Sequence, residues 1–109
     1  MTEAAAQGDA STFTQLITMT VKPEEEQRFL ETARRGVELV QANEPRVLLY
    51  VLTRHPDRAH TFVWVERYAG EAAREHHGSM SYMAELLSVV RDCLAAPPER
   101  LVLEQLEPA

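Results

Sequence analysis

The chain reads as a single α+β domain in the order β-α-β-β-α-α-β. Three observations carry this reading. Four short segments, rich in β-branched and aliphatic residues, have the length and composition of strands. The stretches between them carry apolar residues at helical spacing, or helix-forming composition. Proline, glycine and Asx residues fall where one element must stop and the next begin. A length of 109 residues fits one domain with one core.

Phe13 to Val21 (FTQLITMTV) alternates and is the first strand. Pro23, followed by Glu24, Glu25 and Glu26, opens a helix, because proline suits the first turn and acids there face the positive end of the dipole. Phe29, Leu30, Ala33, Val37 and Val40 form its apolar stripe, and Asn43-Glu44-Pro45 ends it. Val47 to Thr53 (VLLYVLT) is the second strand, and His55-Pro56-Asp57-Arg58 is turn chemistry. Thr61 to Arg67 is the third strand, hairpinned to the second. Gly70 to His77 is a short helix, interrupted at Gly78-Ser79. Ser79 or Ser81 is expected to cap the next helix, whose Met83, Leu86, Leu87, Val90 and Leu94 share one face. Pro97-Pro98 stops that helix, and Arg100 to Leu106 is the fourth strand. This is the split βαβ, ferredoxin-like order, with helices on one face of a four-stranded antiparallel sheet. The domain spans residues 12–107, and residues 1–11 are expected to form a mobile tail.

The strands carry a second message. An antiparallel sheet with one wet face alternates apolar and polar residues. Here Val47, Leu49 and Val51 fall on one face of the second strand, and Leu48, Tyr50 and Leu52 on the other. In the third strand Phe62 and Trp64 oppose Val63 and Val65. Helices cover one face only. The expected cover for the other is the same sheet of a second copy, which makes the protein a homodimer.

Composition narrows the function classes. A formal net charge of −6 argues against non-specific nucleic-acid binding, which needs a basic footprint. The lone Cys93 forms no internal disulfide and reads as a small hydrophobe. The opening residues lack the basic start and apolar run of a signal peptide, and no apolar run approaches membrane-spanning length. A cytoplasmic location without membrane attachment is therefore expected.

Thr61 to His77 holds the richest chemistry. A strand ends in Glu66-Arg67, breaks at Gly70 and restarts as a helix carrying His76 and His77, so titratable groups meet at a strand-to-helix corner. Adjacent helical residues point about 100° apart, so one histidine faces a pocket and the other solvent. An imidazole there is either a proton acceptor or a helix-end residue stabilised by the dipole. Trp64, Tyr50, Tyr68 and Tyr82 are candidates for an aromatic wall, and Met80 and Met83 for an adaptable one, against the alternative of core packing. Glu66 shares a strand face with Trp64 and Tyr68, and is read as accepting bonds from backbone or an arginine, with a catalytic carboxylate as the alternative. Glu66, Glu71, Glu75, His76 and His77 cluster in sequence but match no metal-ligand spacing, so no metal is expected. No glycine-rich phosphate loop follows a strand, so no nucleotide or flavin cofactor is expected either. His55 and His60 flank the hairpin turn and are expected in solvent.

Lys22-Pro23-Glu24 after the first strand, Glu44-Pro45 before the second, and Glu66-Arg67-Tyr68 closing the third are loose motifs in which the sequence resembles the antibiotic biosynthesis monooxygenase family of dimeric α+β barrel proteins. A short alanine-containing helix ending in histidine follows, with Ser81-Tyr82-Met83 beyond it. Counting forward from Glu66 puts the family's histidine on His77, and counting back from Ser81-Tyr82-Met83 allows His76. The chain departs from the family in having Arg46 where glycine commonly follows Glu-Pro. Haem-degrading relatives resemble one another in a tryptophan at Tyr68's position and a histidine in the next helix, and both are missing here. RNA-binding modules of the same topology pair exposed aromatics with basic residues, unlike this acidic chain.

The resemblance implies a cofactor-independent monooxygenase acting on an electron-rich aromatic of polyphenol, anthrone or quinol type, with O2 as co-substrate. His77 first and His76 second would take the substrate's proton, while Trp64, Tyr50, Tyr68, Tyr82 and Met83 would hold the ring. An isomerase or cyclase with the same acid–base groups, and a non-catalytic ligand-binding module, are the alternatives.

Overall fold

A computed structural model describes residues 12–107 and has the element order expected. β1 (Phe13–Thr20) leads through a short 3₁₀ turn at Pro23–Glu25 into α1 (Glu26–Asn43). β2 (Val47–Arg54) and β3 (Thr61–Tyr68) form a hairpin. α2 (Glu71–Ser79) and α3 (Ser81–Cys93) follow, and β4 (Glu99–Leu103) closes the chain. The four strands are antiparallel in the order β2-β3-β1-β4. Residues 1–11, expected as a tail, lie outside the described residues.

β3 shows how alternation builds the interior. Phe62, Trp64, Glu66 and Tyr68 are buried beneath the helices, and Val63, Val65 and Arg67 point the other way. α1 sets Phe29, Ala33, Gly36 and Val40 against this face, and α3 sets Met83, Val90 and Cys93. The Phe29 and Phe62 rings lie 5.0 Å apart at the centre of one core cluster. Burying side chains of this size contributes about 1.5–3 kcal/mol each before entropy is counted.

The opposite face of the sheet is largely apolar and uncovered in the single chain. Cross-strand pairing sets Leu49 beside Arg67, Val51 beside Val65, and Leu16 between Val65 and Leu101. Val51 is 40 % exposed and Leu101 57 %. Amid this surface the Arg67 Nε is enclosed without a hydrogen-bond partner.

Three local expectations need correction. A bulge between Val47 and Leu49 pairs Val47 with Tyr68 and Leu49 with Arg67, so Val47 does not share a face with Leu49 and Val51. Neither Ser79 nor Ser81 caps α3: Met80 precedes it with no side-chain bond, and the Ser79 hydroxyl donates back to the His76 carbonyl at 2.8 Å. The fourth strand begins at Glu99 and ends at Leu103, short of Leu106.

At the hairpin, His55 Nδ1 accepts two backbone N–H groups, from Asp57 and Arg58, both at 3.1 Å. His60 sits at φ 53°, and its Nδ1 lies 2.8 Å from Glu26 Oε1. Both histidines are half-buried rather than free in solvent. No helix of the described residues is long and apolar enough to cross a membrane.

Candidate active site

A cavity of about 240 Å³ lies between the sheet and all three helices. Gln15, Ile17 and Met19 of β1, Tyr50 of β2, and Trp64, Glu66 and Tyr68 of β3 form its floor. Ala33 and Gly36 of α1, Arg74, His77 and Gly78 of α2, and Met83 and Leu86 of α3 close it. α1 contributes because it packs across the same sheet face. Larger grooves run along the protein surface, but the buried aromatic and titratable groups converge on this one.

His77 is the side chain turned inward. It is 7 % exposed, and its Nδ1 lies 3.0 Å from Glu44 Oε1. Glu44 is 4 % exposed, and its Oε2 accepts a short hydrogen bond from the Tyr82 hydroxyl. A carboxylate on Nδ1 favours the tautomer with hydrogen on Nδ1, which leaves Nε2 as an acceptor. His77 lies edge-on to Tyr50, with ring centroids 5.3 Å apart, and 5.7 Å from Tyr68. Tyr50 in turn packs on Trp64 at 4.8 Å. His76, one residue earlier, is exposed beside an outer groove with Pro45, Arg46 and Val47. The 100° step between neighbours on a helix separates the two histidines.

Of the expected wall residues, Trp64, Tyr50, Tyr68 and Met83 line the cavity. Tyr82 does not; it stands behind His77 and braces Glu44. Met80 is also absent from the lining. Glu66 accepts hydrogen bonds from Gln15 Nε2 at 2.8 Å and the Tyr68 hydroxyl at 2.6 Å, where backbone or an arginine was expected. Arg100 Nε donates to Gln15 Oε1 at 2.7 Å, so the arginine acts one residue removed.

Burial drives the phenols of Tyr50 and Tyr68 well above the usual tyrosine range, helped by the nearby carboxylate of Glu66. Tyr82 is raised too, first by burial and then by its bond to Glu44. All three therefore stay protonated donors at neutral pH. Among the described residues no group of three His, Cys, Asp or Glu side chains is placed to hold a metal ion.

Glu44 was read in the sequence as part of a helix stop and of a family motif, but not as a site residue. A signal was available: an acid at the negative end of a helix opposes the dipole, so its presence calls for another partner. Gln15 gave a similar signal, as an amide on the strand face that also carries Ile17 and Met19.

A four-stranded antiparallel sheet, three helices on one face and a histidine-walled cavity between them define a ferredoxin-like domain with an interior cavity. Residues 12–87 match the antibiotic biosynthesis monooxygenase family, and the chain belongs to it. Solved structures agree in fold. A candidate antibiotic biosynthesis monooxygenase from Caulobacter crescentus CB15 is 25% identical, with a TM-score of 0.86 over 95% of this chain and 98% of that one. One from Nitrosomonas europaea is 22% identical, with a TM-score of 0.83 over 94% and 95%. A conserved protein from Methanosarcina mazei Go1 is 17% identical, with a TM-score of 0.83 over 93% and 98%. No functionally curated protein matches the sequence significantly.

Proposed function

We propose that this protein is a cofactor-independent monooxygenase of an electron-rich aromatic of phenol, anthrone or quinol type, with His77 as general base. The observation that carries the reading is the His77–Glu44 pair at the wall of an aromatic-lined cavity. Glu44 orients the ring and balances the charge that His77 gains, and Tyr82 holds Glu44. His76, in solvent, takes no part.

The chemistry needs little else. The phenolic proton passes to His77 Nε2. The anion gives one electron to O2, and the resulting radical pair closes a carbon–oxygen bond at the activated ring carbon. His77 returns its proton to the peroxide. Loss of water then leaves one oxygen atom as a new carbonyl and the other in water. The apolar walls desolvate the anion, which raises its reducing power, and hold the ring against rotation.

The active unit is a homodimer closed over the apolar face of the sheet and located in the cytoplasm. Support for the dimer comes from Leu49, Val51, Val65 and Leu101 on that face. Oxygen uptake with a naphthohydroquinone, measured in chelator-treated buffer, tests the activity. Substrate-dependent uptake above the uncatalysed rate is expected, with stoichiometric water-forming turnover and loss in His77→Ala. Turnover without O2 would favour an isomerase or cyclase. Binding with no turnover would favour a ligand-binding module.

A further inference from the structure

One buried carboxylate takes no part in the proton transfer assigned to His77. Glu66 is 7 % exposed and lines the cavity floor. Both of its recorded hydrogen bonds, from Gln15 and Tyr68, fall on Oε1. No ion pair with Arg or Lys neutralises it among the described residues; Arg100 is spent on Gln15. Its second oxygen has no hydrogen-bond partner among them either. Among the described residues Arg67 Nε is the fully enclosed side-chain atom without a partner, so Glu66 Oε2 keeps accessible surface, and the residue lines the cavity. A buried carboxylate oxygen left without a donor is costly. The two donors on Oε1 hold that oxygen still, which restricts where Oε2 points.

Glu66 also shares a wall with His77. Tyr50 is its direct cross-strand neighbour and lies edge-on to the His77 ring. The cavity thus presents two acceptors, His77 Nε2 and Glu66 Oε2, around one aromatic surface. It presents little free positive charge, because the Arg74 guanidinium is held by Glu71. At about 240 Å³ it falls below the roughly 300–1,000 Å³ common for ligand pockets, which suits one or two rings better than three.

We propose that Glu66 is a specificity-determining residue whose Oε2 accepts a hydrogen bond from a second donor group of the bound aromatic. The site then selects neutral one- or two-ring compounds carrying two hydroxyls, and disfavours those with one hydroxyl or with a carboxylate. This rests on the reading that the cavity binds an electron-rich aromatic, and it adds which substituents that ring must carry. A hydrogen bond to a buried charged acceptor discriminates strongly, because the analogue that lacks the donor leaves the acceptor unpaired.

Calorimetric titration under nitrogen tests it, with naphthalene-2,6-diol and its monomethyl ether as probes. Wild-type protein should bind the diol about tenfold to a hundredfold tighter than the ether. Glu66→Gln keeps the acceptor for Gln15 and Tyr68 on the amide oxygen and turns an amide donor toward the cavity. The preference should then fall to unity or reverse toward the ether, with the thermal midpoint little changed. In His77→Ala both affinities fall while their ratio persists, which separates the two acceptors. Equal binding of the two probes, or a ratio that survives Glu66→Gln, overturns the assignment to Glu66 alone. If neither probe binds, the aromatic-site reading falls with it.

Discussion

The carboxylate of Glu44 meets Nδ1 of His77 at 3.0 Å, although the two residues are 33 positions apart. One closes α1 and the other lies in the last turn of α2. Each helix thus delivers one member of a buried pair to the end of the cavity, and the Tyr82 hydroxyl from α3 completes it. Glu44 sits at the unfavourable end of its helix dipole, and the bonds to His77 and Tyr82 offset that cost.

Glu44→Ala should therefore act on both function and stability. Two buried donors, His77 Nδ1–H and the Tyr82 hydroxyl, lose their acceptor, at about 1–3 kcal/mol each. Turnover should fall about tenfold to a hundredfold, the usual effect of removing the outer partner of a functional histidine. Glu44→Gln, which keeps an acceptor oxygen, should lose less. Urea denaturation and steady-state rates check this together; an alanine variant with wild-type rate and midpoint would remove Glu44 from the site.

His77→Ala should lower turnover by roughly two to four orders of magnitude, the range typical of a general base. The deficit should narrow at high pH, where solvent hydroxide deprotonates the phenol. His76→Ala should match wild type, because that ring is in solvent. Rate–pH profiles of the two variants decide the matter. Full activity in the His77 variant at every pH would leave the cavity acting by binding and desolvation alone.

The chain has three tyrosines, and all three are shifted upward by burial first and by nearby carboxylates after that. A raised folded-state pKa means stability that is complete below the unfolded tyrosine value, about 10, and is lost as pH rises above it. Native protein should therefore show no tyrosinate absorbance step near pH 10. The step should instead coincide with alkaline unfolding followed by circular dichroism. A reversible step near pH 10 with the fold intact would contradict the packing described.

Val51→Glu or Val65→Glu should convert a dimer into monomer or aggregate, because an unpaired charge would be buried on the apolar sheet face. Sedimentation velocity at micromolar concentration is the measurement. A stable monomeric wild type would show that the face is not an interface between copies.

The order of elements was legible in the chain because local periodicity and turn chemistry fix it. Phe62, Trp64 and Tyr68 announce a strand whatever they touch, and Pro23 or Pro97-Pro98 mark boundaries without tertiary help. The histidine pair was legible as a pair, since two neighbours on a helix must diverge. Which of them turns inward was not, because that depends on how α2 is rotated against the sheet. Packing of Ala73 and His77 against β2 and β3 sets that rotation. The bulge at Val47–Leu49 and the place of Tyr82 behind Glu44 were equally hidden. Sequence by itself determined which segments are strands and helices, and it singled out the histidine pair and most of the aromatic wall as candidates. Tertiary structure alone decided that Glu44, Glu66 and Gln15 join the site, because a hydrogen bond between residues tens of positions apart leaves no periodic trace in the chain.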